Sequence, residues 1–157
     1  MEELLEYRQR MVDRLAGSGS LLERAILLFK DPFLPLEPGG WNLHQVVTHL
    51  RDVNQQVYLP RLHRVLNEEN PLFMNFDGET WMTEHYQPQE PLQKILAEFD
   101  EQCRTSSAWL SDLNNEAWNR SGKHPTIGVH SLQWWVERML AHIAEHLTQL
   151  NPRGEEQ

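Results

Sequence analysis

Apolar residues recur along this chain at three- and four-residue intervals, the runs are separated by Pro- and Gly-marked stretches, and no segment alternates convincingly with period two. The first predicted helix runs from Glu2 to about Ala16 with Leu4, Met11 and Leu15 on one face. Gly17, Ser18, Gly19 and Ser20 then break or bend it before Leu21 to Phe29 continues. Residues 31–40 hold three prolines and two glycines and read as a connection. A second helix should begin at Leu43, because Asn42 can cap it, Gln45 completes a capping box and Trp41 can staple onto Val46. Its face is Leu43, Val46, Leu50, Val53 and Val57; Pro60, which lacks an N–H, should kink it near Gln56 before it ends about Leu66.

The connection over 67–90 is too long for a hairpin and suits a crossover that leaves two consecutive helices parallel. Pro91 suits the first position of a third helix facing inward through Leu92, Ile95, Leu96, Phe99, Cys103 and Leu110. After a second connection over 114–128, a fourth helix is expected from about Val129 to Leu150. Leu132, Val136, Met139, Ile143, Leu147 and Leu150 form its apolar face. Four amphipathic helices argue for an all-α four-helix bundle.

Composition narrows the class. A chain of 157 residues suits one domain, expected over 1–150 and followed by a polar tail over 151–157. No uninterrupted apolar run approaches the roughly 18 residues of a membrane span. The start, MEELLEYRQR, carries acids where a secretory leader carries bases, and the single Cys103 cannot form an intrachain disulfide, so a cytoplasmic protein is expected. A net charge of −9 argues against nucleic acid as a partner. Eight histidines and six tryptophans are the unusual feature, and the position of the histidines carries the functional argument.

In the string HIAEH, His142 and His146 stand one helical turn apart, near enough to ligate one ion, and both fall inside the apolar arc around Met139. His49 lies about 60° from Val46 at the edge of the second helix's apolar face. It is about two turns from the start of its helix, and the pair is about two turns from the end of theirs. Antiparallel packing would bring all three to one level. An isolated inward histidine is usually a hydrogen-bonded core residue, but burying two imidazoles side by side needs a polar reason.

Three known metal patterns fail. HIAEH satisfies H-x-x-E-H, the inverted zinc-protease motif with Glu145 as base, yet only 11 residues follow His146 and none can be the third ligand. No glutamate has a histidine three residues on, which excludes a di-iron carboxylate bundle, and one cysteine cannot build a zinc finger. What survives is a mononuclear three-histidine site with an open position, the arrangement of catalytic metal.

The segment PGGWNLHQVVTHL, followed 93 residues after His49 by HIAEHLTQL, resembles the DinB/YfiT-like superfamily of metal-dependent enzymes, and the resemblance covers nearly the whole chain. NPLFMNFDGETW and the pair His124–Pro125 look most like the YfiT branch. The resemblance implies His49, His142 and His146 as ligands, nickel or zinc as the metal, and an up-down-down-up bundle. It further implies frequent homodimers. Enzymes of the family include thiol S-transferases and isomerases that use a low-molecular-weight thiol such as bacillithiol or mycothiol, while others are described as hydrolases.

Around the three histidines, Glu145 either lines the pocket as a base or faces solvent, and His124, held extended before Pro125, is expected to reach the site. Asp52 could hold an imidazole N–H of His49. Arg120 and Lys123 are the nearest bases to the His124 loop and could meet an anionic substrate. Trp135 should face inward, and Cys103 should be buried and inert. The leading expectation is a metalloenzyme that activates a water or a low-molecular-weight thiol against a small-molecule substrate. The alternative is a non-catalytic metal-binding or dimeric interaction protein.

Overall fold

The computed structural model describes residues 1–152, so of the tail over 151–157 only Asn151 and Pro152 fall within it and the rest lies outside the described residues. Four helical rods form the bundle. The first is α1 (Glu2–Ile26). The second is continuous through α2 (Leu43–Val53), a π-helical turn (Asn54–Tyr58) and α3 (Leu59–Asn67). The third and fourth are α5 (Leu92–Leu110) and α7 (Leu132–Leu150). Between them lie α4 (Gly78–His85), α6 (Asn115–Asn119) and a hairpin of β1 (Ser121–His124) and β2 (Gly128–Ser131).

Contacts between the rods fix their directions. Ser107 Oγ donates to the Val12 carbonyl while Gly19 meets Asp100, so α1 and α5 are antiparallel. Arg51 meets Glu98, Asn54 meets Cys103 and His63 packs on Trp109, so the second rod runs parallel to α5. His49 meets His146, Tyr58 meets His142 and Arg61 meets Trp135, so the second rod is antiparallel to α7. The order is up-down-down-up, as the long crossover requires. Leu15, Leu22, Val46, Leu50, Leu62, Ile95, Phe99, Val136 and Met139 are fully buried at the centre. Among the described residues no helix is long and apolar enough to cross a membrane.

The structure departs from the sequence reading in several places; Pro91, expected at the first position of the third helix, is extended and precedes α5 as its N-cap. The GSGS stretch does not break α1: Ser18 donates to the Arg14 carbonyl, and a Cβ at Gly19 would overlap the Asp100 side chain. Those small residues let α1 and α5 approach closely. Pro60 produces a π turn rather than a simple kink, since it cannot donate to a carbonyl one turn back and the extra residue absorbs the mismatch. The crossover is not all loop. Asp77 accepts from the Glu79 and Thr80 amides and so caps α4, a helix too short and too weakly patterned to announce itself. The last helix starts at Leu132, capped by Ser131, because residues 128–131 pair with β1 instead.

Candidate metal centre

The capping box at Asn42 forms as expected, with the Asn42 side chain accepting from the Gln45 amide and Gln45 Oε1 accepting from Asn42 N–H. It fixes the phase of α2 and with it the place of His49. Trp41, expected to staple onto Val46, packs its ring 5.0 Å from that of His49. Gly78, first residue of α4, touches the other side of His49; a Cβ there would stand 3.0 Å from His49 Cε1. The imidazole thus contacts both the segment that leads into α2 and the start of α4 in the crossover.

His49, His142 and His146 converge. Each offers a ring nitrogen, and these atoms lie within 4.8 Å of one another. The Nε2 atoms of His49 and His142 are 3.0 Å apart, close to the spacing of about 3.3 Å between two nitrogens bound tetrahedrally at about 2.0–2.1 Å from one ion. His146 Nδ1–H donates to Gln149 Oε1 at 2.9 Å, which leaves Nε2 as its lone-pair atom. His142 Nδ1 is buried with no hydrogen-bond partner among the described residues. Burial, reinforced by the neighbouring His146, lowers His49 to about 4; burial, then His146, His49 and Arg138, lowers His142 to about 3. The neutral imidazoles of His49 and His142, brought together at Nε2 beside His146, fit a divalent cation better than they fit one another.

The cluster borders two openings. One is a cavity of about 350 Å³ whose wall includes His49, His142, Tyr58, Arg61, His124 and Arg138. The other, of about 710 Å³, has His49 and His146 on one side and Asp77 and Glu79 on the other. Asn75, Phe76, Gly78 and Thr126 border both, so the two long connections meet at the site.

His124 ends β1, where the three-residue loop 125–127 turns the hairpin and Gly128 takes the left-handed conformation, φ 88°, that closes such a loop. The turn aims the Thr126 and Ile127 amides at His124 Nδ1, at 3.1 and 3.3 Å. An Nδ1 that accepts leaves the proton on Nε2. Burial, then Arg61 and His130, lowers the pKa of this histidine, so it is a neutral donor on the cavity wall.

The other sequence candidates fall elsewhere. Glu145 is exposed, 3.6 Å from Arg138, and does not line either opening. Asp52 does not hold an imidazole; it accepts from Arg51 Nε at 2.6 Å and from Trp81 Nε1 at 3.0 Å, tying α4 to α2. Arg120 is spent on the carbonyls of Val65 and Glu68 at the end of α3, and Lys123 is exposed on β1. Trp135 is buried as expected, and burial pushes the Cys103 thiol up to about 12. Tyr58, Arg61 and Arg138 were missed. By α-helical arithmetic Tyr58 stands about 180° from His49. The π turn underwinds the rod and brings both to one cavity. Only Pro60 hinted at it.

Comparison with known proteins agrees with this geometry. The sequence profile of the DinB superfamily matches residues 27–150. A protein of Oceanobacillus iheyensis named "putative metal-dependent hydrolase" is 31% identical over 112 residues, 67% of this chain and 64% of that protein, so the match spans less than two thirds of it. YfiT of Bacillus subtilis, which bears the same designation, is 27% identical over 150 residues, 89% of this chain and 84% of its own. The solved structure of YfiT, described as having an unusual four-helix bundle topology, superposes with a TM-score of 0.85 at 24% identity, covering 94% of this chain and 85% of that one.

Proposed function

The chain belongs to the DinB superfamily, and from that membership and the open side of the histidine cluster we propose that it is a metal-dependent enzyme acting on a small molecule. His49, His142 and His146 would hold one divalent ion, nickel or zinc. The observation that carries the reading is the donor count. Among the described residues three ligand-capable groups converge, and no acid or cysteine lines the cavity of about 350 Å³ beside them. A storage or sensor site closes its coordination with protein ligands, whereas a catalytic one leaves a position for the reacting molecule.

A divalent ion there supplies Lewis-acid activation of a water or of a low-molecular-weight thiol. The chain's own residues do the rest. His124 presents a fixed N–H donor to an oxygen that gains charge in the reaction. Burial raises the pKa of Tyr58, so its phenol stays protonated and serves as a hydrogen-bond donor on the cavity wall. Val53, Val57, Phe76 and Trp135 wall the cavity with apolar surface that limits water. The designations of the relatives favour water as the nucleophile. Three neutral imidazoles leave the ion's charge unbalanced, which favours an anionic thiolate instead.

The test has two parts. Elemental analysis of purified protein should find about one divalent ion per chain. After cobalt exchange, low-molecular-weight thiols are titrated while sulfur-to-metal charge-transfer absorption is followed, and thiol transfer is assayed beside ester and amide hydrolysis. A thiol-dependent band with transfer activity selects the transferase, and hydrolysis without a band selects the hydrolase. Metal with neither activity, or no metal at all, overturns the enzyme reading.

A further inference from the structure

Arg61 is a cation without a counter-ion. Its guanidinium lies over the rings of Phe73 and Trp135, 5.4 and 5.1 Å from their centroids, and Nη2 donates to the Met74 carbonyl at 2.9 Å. Among the described residues no carboxylate stands within 4.0 Å of it, and its other N–H groups have no acceptor. Arg51, by contrast, is buried against three carboxylates. Arg61 is half-buried on the wall of a cavity, so its remaining N–H groups face that space, and the aromatic faces offset its partial desolvation only in part.

Arg61 also lines the cavity that holds His49 and His142. Arg138 stands on the same wall, its one nearby acid being the exposed Glu145 at 3.6 Å. In a chain of net charge −9, this cavity carries two arginines and neither aspartate nor glutamate, while the opening on the other side of His49 carries Asp77 and Glu79. The field across the site therefore has a direction, attracting an anion to one side and repelling it from the other.

We propose that the substrate carries a carboxylate and that Arg61 is its receptor, seating it in the cavity of about 350 Å³ so that the reacting end of the molecule faces the three histidines. This rests on the metal-enzyme reading for what happens at the histidines, though not for the recognition itself. The planar fork of Arg61 is pre-aimed by its two rings and the Met74 carbonyl, which suits two-point recognition of a carboxylate.

The test is calorimetric titration of the purified protein with carboxylates of two to eight carbons, each paired with its own neutral primary amide. The wild type should bind the best carboxylate about tenfold or more tighter than its amide. Arg61→Gln should abolish that preference by weakening the carboxylate far more than the amide, with metal content unchanged, and Arg61→Lys should restore part of it. No preference in the wild type overturns the proposal. So does a preference that survives Arg61→Gln but is lost in His142→Ala, since an ion rather than Arg61 would then read the carboxylate. If the protein carries no metal and the Arg61-dependent preference persists, the metal reading fails and this inference stands.

Discussion

His44 and His49 sit on the same helix, five residues apart, and the molecule treats them oppositely. His44 is buried with both nitrogens engaged: Nε2–H donates to the Glu90 carbonyl at 2.7 Å, and Nδ1 accepts from the Tyr86 hydroxyl at 2.8 Å. Beside it Arg51 gathers Asp52, Glu90 and Glu98, so this face of α2 pins the end of the crossover and closes every polar valence. His49, on the neighbouring face, has two imidazoles beside it and, among the described residues, no acid on the cavity of about 350 Å³ that it shares with His142. Burial is thus a poor discriminator between a structural histidine and a candidate ligand. The better one is whether the protein has already supplied a partner for each ring nitrogen.

The comparison is broken most sharply by deleting one histidine from each face. His142→Ala should reduce metal from about one ion per chain to near zero, whereas His44→Ala should keep the metal and lower thermal stability, both read by elemental analysis and calorimetry. Equal metal loss in the two variants would erase the distinction.

Next in size is the ionic face. Arg51→Met leaves Glu90 and Glu98 with Lys94 and Asp52 with Trp81, and should cost about 3 kcal/mol of unfolding free energy with metal stoichiometry unchanged. The same variant should alter the acid limb. Hydrogen bonds from Arg51 hold Glu90 down at about 2, from an ordinary 4.5, so its stabilisation is complete above the unfolded value and fades as pH falls from there toward about 2. Denaturant titrations over that window should show the wild type losing stability more steeply than Arg51→Met. Parallel curves would mean that the network is not the source.

Smaller again is the effect of Gly78→Ala. Its new methyl meets the His49 ring at 3.0 Å, so the ring must shift, and metal affinity should drop about tenfold in chelator competition with little change in melting temperature. Cys103 offers the least effect. With its thiol pushed up to about 12 and the side chain buried, Cys103→Ser should leave thiol-reagent sensitivity and metal binding alike unchanged in folded protein.

The convergence of His49, His142 and His146 was legible in the sequence because each position depends on local rules. A capping box sets the phase of His49, and an i, i+4 pair needs only helical geometry. The bundle's direction was legible in the same way, from a connection too long to be a turn. What escaped depends on contacts distant in sequence. Gly19 belongs inside a helix only because Asp100 crosses there. Arg120 is committed to a helix end 55 residues away, and Asp52 to Trp81. Tyr58 ends a π turn and Arg61 lies beyond it, where any extrapolation at 100° per residue is out of phase.

The contact between His49 and His142 joins positions 93 residues apart, and it has a consequence for how the molecule folds. A link between the second and last rods closes more than half of the chain into a loop, and the contact must offset the entropy of that closure. An ion shared across that link would act as a reversible staple whose strength is set by its own concentration, adding about 1.4 kcal/mol for every tenfold of free metal above the dissociation constant. Metal supply would then govern how long each chain survives as well as how fast it works.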